Sequence, residues 1–234
     1  KVAGEARQAY GYVRQGFSLM ERNPEFYFTT GLYNYYVERY PDDQPMVKPL
    51  LIFFKDGNMP LGLQQMDVAT RRSVFARAEA RYYLGHILLK HESQPGRAAQ
   101  YLNALTATFP NNPLYALRSA EALALAGQWE DARKAVTRLR QFPGRLWTMP
   151  ALVLGGYLAE RADGNDAGAS ATYQQALKLP YNDAYTKEYH ALAWAGLARI
   201  AARQGNRPLA RAHYKKVLDL TEYKSLIREA KAFR

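Results

Sequence analysis

The feature that most constrains this chain is a recurring helix-turn-helix pattern over its last two thirds. Residues 194–221, WAGLARIAARQGNRPLARAHYKKVLDLT, carry small or apolar side chains at Trp194, Leu197, Ala198 and Ala201, a break at Gly205 and Asn206, and a second apolar set at Ala210, Tyr214 and Val217. That is the signature of two short helices, each with one buried face. The same spacing recurs upstream. Leu84 and Gly85 with Ala98, Leu102 and Leu105 form one copy. Ala120, Gly127 and Trp129 with Ala132, Val136 and Leu139 form another, and Leu154 and Gly155 with Ala169, Tyr173 and Ala176 a third. A helical pair with one apolar face cannot bury that face alone, so neighbouring pairs must stack, with glycine and alanine where helices cross.

A repeat of about 34 residues with these small positions resembles the tetratricopeptide repeat. The expectation is an all-α chain, a right-handed α-solenoid of stacked hairpins. Four repeats are expected at about 78–112, 113–147, 148–183 and 188–221 within residues 77–221, with a capping helix at 222–234. The turn at 93–96 carries one extra residue, and the turn at Asp163, Gly164, Asn165 and Asp166 is longer again. Residues 1–76 fit the repeat least and are expected to form an atypical helical region packed on the array. There, residues 2–20 carry a helical face that ends at Asn23 and Pro24, and a second, tyrosine-rich helix runs to about Arg39, closed by Pro41, Asp42 and Asp43. The apolar run 46–54 is read as a buried helix, and a further helix covers 61–70.

In that region Gly31, Leu32, Tyr33, Asn34, Tyr35 and Tyr36, then Pro41, the patch 51–54, Asp56 with Gly57, and Gly62 with Leu63 follow one another in a distinctive order. The order resembles the N-terminal pattern of bacterial tetratricopeptide proteins related to the fungal inclusion-body clearance family and the tetratricopeptide-repeat outer-membrane family. The resemblance implies a helical-repeat adaptor and adds no catalytic residue.

Chemistry is hard to find. There is no cysteine, so no disulfide or thiolate, and no phosphate-cradling glycine motif. His86, His91, His190 and His213 have no i, i+4 zinc spacing and read as polar tips at helix edges. The Asp163 to Asp166 turn lacks the ligand order of a calcium loop. No metal and no cofactor is expected. An enzyme built around Tyr33, Asn34 and Asp56 would lack a base paired with a nucleophile.

The net charge of +11 raises the question of nucleic acid. The cations are spread along helices among alanines and acids, so a phosphate-binding stripe is disfavoured and stands as the alternative to a protein or peptide partner. The working surface of such an array is the groove lined by the first helix of each pair. Those positions are Tyr82 and His86, then Arg118 and Glu121, then Leu152 and Gly156, then Arg199 and Arg203. An aromatic end and a cationic end suit a segment with an apolar anchor and an acidic group or terminal carboxylate. The Asn and Lys set that clamps chaperone C-termini is not matched here. No apolar run reaches the roughly 20 residues of a membrane span, and association at a membrane through a partner complex stays open. The missing start Met leads to the expectation that a segment precedes Lys1. The periplasm is the expected location, the cytoplasm the alternative.

Overall fold

A computed structural model of the 234-residue chain describes residues 2–43, 45–47, 51 and 54–233. Among these residues all regular structure is helical. The chain divides into two compact units, Lys1–Leu84 and Gly85–Arg234, with the division inside one continuous helix.

Unit 1 holds α1 (Val2–Leu19), α2 (Phe26–Asp43), α3 (Met59–Arg72) and the start of α4 (Arg77–Lys90). Its core forms where α2 and α3 cross at backbone contact. A Cβ on Gly31 would lie 2.9 Å from the Gly62 carbonyl oxygen, and one on Gly62 would lie 2.7 Å from that of Gly31. Tyr35 and Met66 pack there without solvent exposure. A buried amide pair, Asn34 donating from Nδ2 to Gln65 Oε1 at 2.8 Å, fixes the register of the two helices. Asn58 caps α3 through its side chain. Two expectations change here. Pro41 does not close α2 but sits inside its last turn. Of the expected buried helix at 46–54, residues 48–50, 52 and 53 lie outside the described ones, and Met46 sits in a single 3-10 turn with its side chain 91% exposed.

Unit 2 is a stack of helix hairpins: the second half of α4 with α5 (Pro95–Thr108), α6 (Pro113–Leu125) with α7 (Trp129–Leu139), α8 (Thr148–Arg161) with α9 (Asp166–Leu177), and α10 (Lys187–Arg203) with α11 (Arg207–Leu220). A last short helix, α12 (Lys224–Ala232), follows. The four hairpin turns close alike. Each has one residue in the left-handed region, at Ser93, Gly127, Gly164 and Gly205, and a following N–H that reaches back to the first helix. The closing bond runs from Gln128 to Leu123 and from Asn206 to Ala201 in the short turns. In the turns one residue longer it runs from Gln94 to Leu88 and from Asn165 to Ala159. Asn112, Asn165 and Asn206 then cap α6, α9 and α11 with their side chains.

Packing within and between hairpins is small against large. A Cβ on Gly85 would meet Leu102 at 2.7 Å. The Tyr173 ring of α9, wholly buried, lies between Gly156 of α8 and Gly196 of α10. The crossing glycine of the third hairpin is therefore Gly156, one residue on from the expected Gly155, which faces Arg140 instead. Gly156 thus belongs to the core and not to the groove where the sequence pattern put it.

Candidate functional site

The first helices α4, α6, α8 and α10 share one face of unit 2, and of the groove residues predicted from sequence His86, Arg118, Glu121, Arg199 and Arg203 fall on or beside it; Gly156 is in the core and Leu152 borders a separate recess with Phe142 and Trp147. Tyr82 belongs to unit 1, where its ring meets Tyr83 edge-on.

Glu121 on α6 is 1% exposed and is the hub of the face. It accepts from Arg118 Nη1 at 2.8 Å, one helical turn back, from the Tyr189 hydroxyl of α10 at 3.0 Å and from the Tyr223 hydroxyl at 2.7 Å. The Tyr223 oxygen also accepts from Arg118 at 3.3 Å. Three donors offset the cost of removing this carboxylate from water. His86 is half-buried beside the hub. Burial, with the cations of Arg118 and Lys90 nearby, pushes its pKa down to about 3, so the ring is neutral at pH 7.

Arg199 and Arg203, expected to face a ligand or solvent, are instead held by the chain's own acids. Glu160 of α8 accepts from Arg199 Nε at 2.8 Å and Nη2 at 2.7 Å, from Arg203 Nη2 at 3.1 Å and from the Tyr173 hydroxyl at 2.9 Å. Burial pushes the Glu160 carboxyl up, but these donors outweigh it and leave it below the usual range. Arg203 also makes a forked pair with Asp166, at 2.9 and 2.6 Å. The remaining Arg199 nitrogen donates to Glu229 at 3.0 Å, and Tyr214 donates to the same carboxylate at 3.0 Å. The cationic end of the face is thus neutralised, which the arginine positions alone did not indicate. The signal was present one repeat upstream, in Glu160 of the neighbouring first helix and in Asp166 at the start of α9.

The residues that sequence reasoning missed come from the C-terminus. Residues 221–223 run extended and α12 packs on α10 and α11, where Leu226 borders a recess of about 180 Å³ also lined by Leu89 of α4, Leu125 of α6, Tyr157 of α8 and Leu192 of α10. Glu222 bridges Lys90 of α4 and Lys187 of α10. Lysine contacts, first the hydrogen bond from Lys90, draw its pKa down to about 2. Glu188 accepts from the Thr221 hydroxyl at 2.6 Å and the Glu222 N–H at 3.0 Å. Tyr223 fills the Glu121 hub, and burial raises its hydroxyl pKa well above the ordinary value. The face already holds a peptide segment, and it is the chain's own.

In unit 1, two of the residues weighed for catalysis hold backbone and core in place, and Asp56 is exposed. Tyr33 donates to the Lys55 carbonyl at 2.5 Å and Asn34 to Gln65. Among the described residues no group of three His, Asp or Glu stands together to hold a metal ion, and no helix is long and apolar enough to cross a membrane.

No protein-family model and no curated protein matches the chain. Among solved structures it is similar to the crystal structure of the yeast Tom70, at 18% identity and a TM-score of 0.48. The match covers 96% of this chain and 42% of that one, so the chain spans less than half the length of the solved chain it matches. The fold stands on the hairpins themselves.

Proposed function

We propose that the chain is a non-catalytic helical-repeat scaffold that binds a peptide segment or protein partner through the face of unit 2 lined by α4, α6, α8 and α10. The observation that carries this reading is the seating of residues 221–230 on that face, held by polar contacts at three points and an apolar contact between them. A surface that anchors one helical segment by hydrogen-bonded carboxylates and an aliphatic side chain has the chemistry to anchor another. His86, Arg118, Glu121, Arg199 and Arg203 form the frame of the face. Because the last four are paired internally, changing Arg118 or Arg199 would report on stability before it reported on binding.

The test is site-specific photocrosslinking of the full chain in its native cells. A benzophenone at Leu125, or at Tyr185 in the recess lined by His86, Arg118 and Glu222, should give a discrete adduct, and one at Lys134, exposed on α7, should not. Adducts only from Lys134 would move the binding surface elsewhere.

The second reading, a nucleic-acid partner, has one observation in its favour. Unit 2 carries 21 basic and 12 acidic residues, and Arg211, Lys215, Arg228 and Lys231 are exposed on α11 and α12 with no ion pair to a described residue. Phosphate binding there would lose at least about a hundredfold in affinity between 50 and 200 mM salt, whereas binding with an apolar anchor changes little.

A further inference from the structure

The C-terminal segment 221–233 occupies the face in a way that a mere end cap would not. An end cap packs on the last helix of the array. This segment packs on α11 too, with Phe233 against Tyr214, but its anchoring groups go to the first helices: Tyr223 to Glu121 of α6, Glu222 to Lys90 of α4 and Lys187 of α10, Glu229 to Arg199 of α10.

Three observations mark the segment as separable from the stack. The first is packing: α12 borders a partly open recess of about 180 Å³ lined by Leu89, Leu125, Leu192 and Leu226 together with the polar Ser93, Arg199, Ser225 and Glu229. A void at an interface forfeits the dispersion contacts that a close-packed one would have. The second is length. α12 has nine residues and no side-chain cap at its first residue, and helices this short are marginal without tertiary support. The third is what remains after departure. Glu121 keeps Arg118 and Tyr189, Arg199 keeps Glu160, and Glu160 keeps Arg203 and Tyr173. None of these three is stranded. Glu188 does give up the Thr221 hydroxyl and the Glu222 N–H, with Lys90 still close by, while Lys90 and Lys187 lose the Glu222 carboxylate they share and become open to another acid.

We propose that residues 221–233 are a displaceable ligand in cis, and that the partner of this face is a helical segment with the same pattern: an acid, an aromatic residue directly after it, an aliphatic residue three positions on and a second acid three further on. The pattern is read from Glu222, Tyr223, Leu226 and Glu229. Each group has its own receptor: the Lys90–Lys187 pair, the Glu121 hub, the wall formed by Leu89, Leu125 and Leu192, and Arg199. The inference rests on the proposed function and sharpens it. The tether keeps the resident segment at an effective concentration of the order of millimolar, so a partner must match the pattern closely, or the segment must first be loosened.

The experiment uses the full chain and a fluorescein-labelled synthetic peptide with the sequence of residues 221–233, read by fluorescence anisotropy. The chain carrying Glu222→Gln and Glu229→Gln should bind the peptide at least tenfold more tightly than the unaltered chain, because its own segment competes less. A scrambled peptide of the same composition should bind that variant at least tenfold more weakly than the native-order peptide. Equal binding by variant and unaltered chain, or equal binding of scrambled and ordered peptide, overturns the proposal. Hydrogen exchange on the unaltered chain gives a reading independent of the variant: amides of 224–232 should exchange at least a hundredfold faster than those of 189–201, and equal rates overturn the idea of a displaceable segment. Adducts from Leu125 together with failure of the peptide tests would leave a binding face whose segment is permanent. Adducts from Lys134 alone would remove the binding face itself.

Discussion

Gly196→Ala is the sharpest test of how the hairpins stack. In the interior of an exposed helix this change stabilises by about 1 kcal/mol, since alanine has the better helix propensity. Gly11 of α1, where an added methyl would have nothing within 4 Å, should show that gain. At Gly196 the sign reverses. A Cβ there falls within the Tyr173 ring, with the hydroxyl oxygen at 2.8 Å, and the ring cannot retreat because a Cβ-sized space at Gly156 is already closed to it, 2.9 Å from Cε1. Forcing a methyl into such a core costs about 1–3 kcal/mol. Moving the ring also weakens the Tyr173 bond to the Glu160 carboxylate, worth about 1.5–3 kcal/mol. The net expected loss is about 2–5 kcal/mol. Urea unfolding followed through Trp194, two residues away in the same helix, measures it. In a cycle with Tyr173→Leu, the double variant should be no less stable than Tyr173→Leu alone, a coupling of at least about 2 kcal/mol. Additive losses, or a Gly196→Ala variant as stable as the unaltered chain, would refute the packing argument.

Ser93 occupies the left-handed position that the other three hairpin turns give to glycine, so Ser93→Gly should raise stability by about 1 kcal/mol in the same urea assay. Arg199→Met leaves Glu160 and Glu229 short of their strongest donor and should cost about 3–5 kcal/mol, whereas Arg199→Met with Glu160→Met should recover much of it. The pKa of His86 is depressed from 6.5 to about 3, so stability present above pH 6.5 is lost as pH falls towards 3, by about 3 kcal/mol at pH 4 at 1.36 kcal/mol per unit. His86→Phe should remove that dependence in pH-resolved denaturation, leaving the acid loss from Glu222, which sets in below pH 4.5. Glu25 accepts from the N–H groups of Val74, Phe75 and Ala76 at the start of α4, and Glu25→Ala should destabilise unit 1 by about 1 kcal/mol on thermal melting.

The hairpins were legible because their signals are local. Proline at a helix start, asparagine at its cap and glycine in its turn each act within four residues, and they recur. Even the longer turns at Ser93 and Gly164 could be counted from the sequence. The register of the third hairpin slipped by one because Gly155 and Gly156 are adjacent, and only the Tyr173 ring decides which faces the neighbouring helix. Pro41 was read as a stop, yet a proline so close to a helix end sacrifices only the single bond to the carbonyl four residues back. Electrostatic pairing was harder. Arg199 and Arg203 find acids 37 to 43 residues away, which pattern within one repeat does not reveal. The contact of Tyr223 with Glu121 spans 102 residues and has no local trace at all: Leu226, Ile227 and Ala230 announce a helix with an apolar face, and nothing beside them says where it docks.

The most direct measurement of the central claim, that one face of unit 2 receives a segment now held by the C-terminus, is a distance change. The chain has no cysteine, so a spin-label pair can be placed cleanly, one at Lys231 on α12 and one at Lys134 on α7, and read by pulsed electron resonance while the peptide of residues 221–233 is added in excess. The account predicts one narrow distance without peptide and a second, broader population that grows with it. A single narrow distance at every peptide concentration would contradict it.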